Sequence, residues 1–250
     1  MSDNGREEKV KKANREFYDR VADVYDTIDG RRNSELLSWI DATVTRLQRQ
    51  TNGTVLLDLG CGSGAVVKQG ACHFAFTYGM DISTEILKRA KGSCAGVLCG
   101  EASHIPLKNE SVDVVVSFAV FHHLYQIKPV LDEIHRVLKK GGILYSDHDM
   151  DTAFMSAYFI PMKIYRTLFS AARKYINTDR GITPELYRLS EIHSDGVDSG
   201  AIANYLRNIG FRKIDMIYHW FGLNRMFNAM LGHRVFSRGR APLISIVAVK

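Results

Sequence analysis

Apolar positions along the chain change rhythm twice. Between residues 6 and 50 they recur at spacings of three and four: Phe17, Val21, Val24, Tyr25 and Ile28, then Leu36, Leu37, Ile40, Val44 and Leu47. One face of a helix has that period, so two helices are expected, punctuated by Gly30 and Asn33, with Asn33 or Ser34 capping the second. From residue 55 the rhythm becomes short continuous apolar runs separated by helical stretches. Residues 55–59 read as a buried strand, because they are apolar without alternating and end at glycine; 74–80 read as a more polar second strand, 96–99 as a short third, 112–118 as a strongly β-branched fourth and 143–146 as a fifth. Helices are expected over 83–91 and 127–138, the second stopping at Lys139-Lys140-Gly141-Gly142. Beyond residue 150 the pattern loosens. Residues 153–176 predict one or two aromatic-rich helices interrupted by Pro161, 198–208 an amphipathic helix ending at Gly210, and 211–219 and 242–250 two more strands.

Strands alternating with helices at this rhythm imply parallel βαβ units. The expected fold class is α/β: a Rossmann-like, doubly wound sheet of seven strands, with a helical N-terminal cap and helical lid insertions. No repeat or low-complexity linker divides the chain, so residues 1–250 are read as a single domain. Within it, 1–50 form the cap, 51–150 the core, and 151–198 and 220–240 the insertions.

Composition narrows the class without naming an activity. The 250 residues are 46% hydrophobic and 24% charged with five prolines, an ordinary globular balance. A net charge of +6 suits phosphates, acidic cosubstrates or anionic surfaces, but the basic residues are too dispersed to predict nucleic-acid binding. The four cysteines, at 61, 72, 94 and 99, form no CxxC pair and no zinc spacing. The polar start MSDNGREEKVKK lacks an apolar signal region, so reduced thiols and a cytoplasmic location are expected. No apolar run is long enough to span a bilayer, which leaves peripheral membrane contact open.

The sharpest local signal is Leu57-Asp58-Leu59-Gly60-Cys61-Gly62-Ser63-Gly64. A glycine turn between a buried strand and a helix lets a ligand approach the backbone closely. Asp81 stands 17 residues beyond Gly64 at the tip of the next strand, where a carboxylate can accept from both hydroxyls of a ribose. The loop reads G-x-G-x-G rather than the dinucleotide G-x-G-x-x-G. Asp58, on the strand leading in, would repel a pyrophosphate and suits a cosubstrate bearing an ammonium group.

These motifs, followed by Gly100-Glu101-Ala102-Ser103-His104-Ile105-Pro106-Leu107, Ser111-Val112-Asp113-Val114-Val115-Val116-Ser117 and Leu138-Lys139-Lys140-Gly141-Gly142, resemble in order those of class I S-adenosylmethionine-dependent methyltransferases. The resemblance covers about 90 residues. Residues 17–26, FYDRVADVYD, resemble the entry helix of the small-molecule type, such as the ubiquinone and menaquinone methyltransferases. Glu101 stands where Asp is more usual and Val112 where Phe is. The resemblance implies S-adenosyl-L-methionine as cosubstrate and S-adenosyl-L-homocysteine as product. It implies a site of Asp58, Gly60, Cys61, Gly62, Asp81, Ile82, Glu101, Ala102 and Ser117, with Glu101 and the Ala102 backbone at the adenine and Tyr18 or Tyr25 closing over the methionine end.

Methyl transfer needs a general base where the attacking atom must lose a proton. His122 and His123 after the fourth strand and His148 after the fifth are the candidates, since histidine titrates near neutrality. Asp147, His148, Asp149 and Asp151 could hold a divalent metal, but Ser117 stands where metal-dependent relatives carry an acidic residue, so no metal is expected. Aromatic and methionine residues crowd both insertions, which suits an apolar or aromatic acceptor. The expected partner is therefore a small-molecule methyl acceptor, taken by O-, C- or N-methylation by a monomer or homodimer. Two alternatives stand. One is an RNA methyltransferase using Arg225, Arg234, Arg238 and Arg240, although Ser117-Phe118-Ala119-Val120 lacks the Pro-Pro-aromatic motif of base-amino enzymes and no cysteine follows Cys99. The other is a non-catalytic partner subunit that keeps the fold.

Overall fold

The apolar runs pair side by side into one seven-stranded sheet, ordered β3-β2-β1-β4-β5-β7-β6 in the computed structural model. The structure describes residues 3–28, 33–168, 171–223, 225–232 and 234–250. Strands β1 (Val55–Leu59), β2 (Phe76–Asp81), β3 (Gly96–Cys99), β4 (Val112–Phe118) and β5 (Leu138–Met150) are parallel, while β7 (Leu243–Val249) runs antiparallel between β5 and β6 (Arg212–His219). Strand order reverses between β1 and β4, and a crevice at such a switch point, beyond the strands' C-terminal ends, is where ligands bind in open α/β sheets.

The helices are α1 (Asp3–Val21), α2 (Tyr25–Ile28), α3 (Ser34–Thr51), α4 (Ala65–Gly70), α5 (Thr84–Ala90), α6 (Lys128–Val137), α7 (Thr152–Ala157), α8 (Phe159–Leu168), α9 (Ala171–Thr178), α10 (Pro184–Ser190), α11 (Ser199–Asn208) and α12 (Arg225–Leu231). Leu36, Ile40, Val44 and Leu47 of α3 pack on one face of the sheet with Leu56, Val114 and Tyr145. On the other, Val130, Leu131, Ile134 and Val137 of α6 and Leu206 of α11 pack with Leu57, Val115 and Leu144. Each such fully buried side chain contributes roughly 1.5–3 kcal/mol. Helix α1 reaches past the sheet to α10, joining Phe17 and Val21 to Ile182 and Leu186.

Asn33 caps α3 as expected, its side chain accepting from Leu36 N; Gly30 lies outside the described residues. Two expectations give way. Helix α6 ends at Val137, and Lys139-Lys140-Gly141-Gly142 opens β5 instead of closing the helix. Leu138 pairs with Val112, and Lys139 Nζ meets Asp113 Oδ1 at 2.8 Å, so the strand begins before its glycines. Pro161 does not interrupt a helix: it is the third residue of α8, in the first turn, where a missing N–H leaves no intrahelical bond unmade. The break falls at Tyr158, with φ −113° and ψ 32°, and three helices occupy the region. All four cysteines are free. No helix among the described residues is long and apolar enough to cross a membrane.

Candidate functional site

Strand β1 turns into Gly60 at φ +73°, where a Cβ would lie 2.5 Å from Val120 Cγ2. Glycine meets both the positive φ and the close approach. Gly60 N and Cys61 N donate to Met80 O at 2.7 and 3.0 Å, strapping the loop to β2. Gly62 N and Ser83 N each donate to Asp81, at 3.0 Å, on opposite carboxylate oxygens. Burial pushes the Asp81 carboxyl up from its ordinary range, against the pull of those backbone donors.

Beyond the loop lies a cleft of about 950 Å³. Tyr18, Tyr25, Gly60, Gly62, Asp81, Ile82, Glu101, Ala102 and His123 line it, together with Lys11, Asn14, Phe118 and Ala119. Asp58, Cys61, Ser117, His122 and His148 do not line it. Asp58 and Ser117 are buried in β1 and β4. Cys61 packs under the loop, a built Cβ at Gly79 lying 2.8 Å from its sulfur, and burial pushes its thiol up, away from reactivity.

Helices α1 and α2 form the roof and are fastened by Lys11 and Asn14, which no motif singled out, and by Asp19 and Asp26 of the 17–26 motif. Lys11 Nζ meets Glu101 Oε2 at 2.7 Å and Glu7 at 2.9 Å; burial alone would lower its pKa, but the two carboxylates outweigh it and raise it to about 12. Asp19 accepts from Ser83 Oγ at 2.6 Å and Asp26 from Ser63 Oγ at 2.5 Å. Asn14 Nδ2 donates to Val10 O and His123 O, while its buried Oδ1 accepts from no group among the described residues. Lys11, Asn14 and Tyr18 recur at spacings of three and four, so a polar stripe on this helix was the signal available in the sequence.

The three candidate bases have different surroundings. His123 Nδ1 lies 2.5 Å from Ser190 O, and its Nε2 lies 2.8 Å from Tyr18 Oη. A carbonyl can only accept, so Nδ1 carries the proton and Nε2 accepts from the phenol. Burial, reinforced by neighbouring His122, pushes His123 down to about 4, so it is neutral at ordinary pH. The Tyr18 phenol is pushed well up by burial and by Tyr25, and stays protonated. His122 faces away from the cleft wall: its Nδ1 lies 2.7 Å from Asp149 Oδ1 and its Nε2 3.5 Å from Glu191.

His148 sits at φ +66°, beside the register shift between Ser146 and Asp149, and stacks on Phe118 with centroids 4.3 Å apart. Its neighbour Asp147 is fully buried and gathers donors: Trp39 Nε1 at 2.9 Å and Tyr145 Oη at 2.5 Å on Oδ2, with Ser245 Oγ and His219 Nε2 at 2.9 Å on Oδ1. Burial pushes that carboxyl up, but His148 and His219 outweigh it and hold it well below the ordinary range. The acidic group read as a candidate metal set is dispersed: Asp149 serves His122, and Asp151 caps α7 and accepts from Ser199 N. Two other groups, His122-His123-Glu191 and Asp147-His148-His219, bring three ligand atoms within 4.8 Å. In the second, the Asp147 oxygens already accept from the four side chains above. Its partners stand 72 to 108 residues away in sequence, except Tyr145, and no local pattern announces them.

Comparison with known proteins agrees with this geometry. Residues 57–146 match the family model of the methyltransferase domain. A tRNA (carboxymethyluridine(34)-5-O)-methyltransferase of Arabidopsis thaliana is 32% identical over 124 residues, 48% of this chain and 30% of that protein. The chain spans 27% to 63% of the length of the curated relatives it matches. Among solved structures, magnesium protoporphyrin IX methyltransferase from Synechocystis PCC 6803, with bound S-adenosylhomocysteine, superposes with TM-score 0.59 at 17% identity, covering 96% of this chain and 99% of that one. A phosphoethanolamine N-methyltransferase of Haemonchus contortus gives TM-score 0.59 at 17% identity, over 94% of this chain and 60% of that one. Residues 57–146 thus match a methyltransferase domain, and the chain shares its fold with S-adenosylmethionine-dependent methyltransferases of known structure.

Proposed function

We propose that this protein transfers a methyl group from S-adenosylmethionine to a small, partly apolar acceptor. The observation that carries the proposal is the lining of the cleft: a glycine loop, the Asp81 and Glu101 carboxylates, and a hydrogen-bonded phenol–imidazole pair face one space. The residues fit the cosubstrate. Asp81 offers a carboxylate to the two ribose hydroxyls, Glu101 an acceptor at the adenine end, and Asn14 Oδ1 is a buried acceptor with no partner among the described residues. When bound, S-adenosylmethionine supplies a methyl carbon already activated by its sulfonium.

The chain's own residues then align the acceptor, exclude water and hold a proton. Of the three candidate histidines, His123 is the one that lines the cleft, and it does so behind Tyr18. A proton arriving at the Tyr18 oxygen is matched by passage of the phenolic proton to His123 Nε2. The imidazolium so formed keeps its Nδ1–H on Ser190 O. Neighbouring Glu191 and Asp149 offset part of the burial that otherwise disfavours that charge, so the proton is held briefly and passed on.

Titration calorimetry with S-adenosylmethionine and S-adenosylhomocysteine, followed by methyl-transfer assays on quinols, phenols, amines, lipids and tRNA, tests the reading. Micromolar binding with transfer to a small acceptor is expected. Transfer to tRNA alone overturns the acceptor class, and binding of neither compound overturns the activity.

A further inference from the structure

We infer that the two insertions form a surface that docks on an anionic lipid bilayer, beside the edge of the sheet where the cleft opens. The inference goes beyond methyl transfer and rests on three observations.

The first is where apolar surface is left uncovered. Of the large apolar side chains exposed among the described residues, all but Phe76 lie at 158–164 or 226–235. Phe159, Ile160 and Ile164 of α8 are 62%, 70% and 56% exposed, and the first and last of these with Ile160 share one helix face with Lys163. Met226 and Met230 of α12, four apart, are exposed in the same way. The opposite side of α8 is spent on packing, with Met162 buried against Phe154 and Met155. None of the exposed five lines the cosubstrate cleft. Contiguous apolar surface of this kind on a folded chain marks an interaction site.

The second is charge. Residues 152–178, the helical first part of the earlier insertion, and 220–240 carry eight Lys and Arg between them and no Asp or Glu, whereas 179–198, the remainder of that insertion, carries five acidic and two basic residues. Arg166 and Arg238 are engaged by Asp195 and Asp198, but Lys163, Lys174, Arg234 and Arg240 make no salt bridge among the described residues, and the Arg225 side chain lies outside them. The third is placement. Trp220 packs on Phe154 at 5.2 Å and on Phe227 at 4.7 Å, so the two insertions are joined. They leave the sheet at the ends of β5 and β6, which are parallel to each other because both are antiparallel to β7.

An amphipathic face with apolar tips and a surplus of cationic over acidic neighbours, Asp195 and Glu35 being the acidic ones beside α8 and α12, has the chemistry of an interfacial anchor: the side chains enter the acyl boundary while unpaired Lys and Arg meet anionic headgroups. A second copy of the chain would set like charges against like. Nucleic acid would use the charges but leave Ile160, Ile164, Met226 and Met230 in water.

Cosedimentation with phosphatidylcholine vesicles, with and without phosphatidylglycerol, tests this. The full chain is expected to pellet with the anionic vesicles and to be released by salt. Ile160→Ser combined with Ile164→Ser should weaken binding by about tenfold or more, and Lys163→Glu by about fivefold per unit of charge. Both variants should keep the melting temperature and cosubstrate affinity of the parent. Failure to pellet with anionic vesicles, or binding unchanged in both variants, overturns the inference. A dimer in sedimentation velocity, or a tRNA gel shift, that these substitutions abolish while the vesicles go unbound also overturns it and gives the face to that partner. Vesicle binding and calorimetry are read separately, so failure of cosubstrate binding would sink the proposed activity and leave this surface standing.

Discussion

The N-terminal cap and the two later insertions both lie at the C-terminal edge of the sheet, and the chain holds them there in opposite ways. Helices α1 and α2 are fastened by specific polar contacts: Lys11 to Glu101, Asp19 to Ser83, Asp26 to Ser63 and Tyr18 to His123. Four contacts at fixed distances define one position of the roof over the cleft, and each reaches a residue in or beside the glycine loop, Asp81, Glu101 or His123. Helices α8 and α12 rest mainly on the apolar cluster around Phe154 and Trp220, with Arg166 to Asp195 and Asn228 to Glu35 as polar ties, and turn further apolar residues outward. Directional bonds fix geometry, which chemistry on a bound ligand requires; apolar contact is tolerant of position, which suits a surface that meets a soft partner. The difference separates a part built for precision from one built for attachment.

The largest test of this division concerns Asp147, which ties α3 through Trp39 to β7 and β6 through Ser245 and His219. Asp147→Ala leaves several buried donors without an acceptor and should lower unfolding free energy by about 3–5 kcal/mol in denaturant titrations. A loss under about 1 kcal/mol would show that water or repacking satisfies those donors. Next comes Tyr18→Phe, which keeps the packing of α1 and removes the hydroxyl proposed to carry the proton. Turnover should fall about 100-fold while cosubstrate affinity stays within about threefold, and equal losses in both would reduce Tyr18 to a roof contact.

A smaller effect is expected with pH. His123 is held at about 4 in the folded chain against 6.5 for an unperturbed histidine. The unfolded chain therefore binds a proton first, so stability is complete above pH 6.5 and is lost as pH falls from there toward 4. His123→Asn should flatten the decline in that window; an unchanged slope would assign it to other groups. The smallest effect belongs to the insertions: Ile160→Ser should change stability by no more than about 0.5 kcal/mol, because the side chain is already exposed. A clear loss would mean that α8 is packed rather than presented.

Strands β1 and β4 could be read to the residue because a strand buried on both faces announces itself as a largely apolar run ending at glycine or a polar turn; β3, a short half-exposed edge strand, was bounded instead by the glycines at 96 and 100. The same logic shortened β5, whose last four residues, Asp147 to Met150, are polar or follow a bulge and are held in the sheet by Leu243 and Ile244 nearly a hundred residues away. Local pattern carries no record of such a partner. Pro161 misled for a related reason: a breaker matters by its place in the helix, and that place was set by Tyr158. In the site, the motif residues on strand tips were legible because backbone geometry demands them. The tyrosine–histidine pair and the Asn14 amide were not, since a contact across 105 or 109 positions exists only once α1 has docked.

The position of β7 has a bearing on how the molecule reaches this state. The last strand in sequence is not at the sheet's border; it lies between β5 and β6, and β6 is joined to the rest through it. Emerging from the ribosome, the β3-β2-β1-β4-β5 half can assemble early, while β5 keeps an open flank of unpaired N–H and C=O groups until residues 243–249 arrive. Closure then depends on residues 243–249 pairing with β5 on one side and recruiting β6 on the other, a non-local event that is slow in folding terms. A ribosome stalled before residue 243 would hold a nascent chain with its glycine loop in place and an adhesive strand exposed, a species that chaperones would be needed to shield.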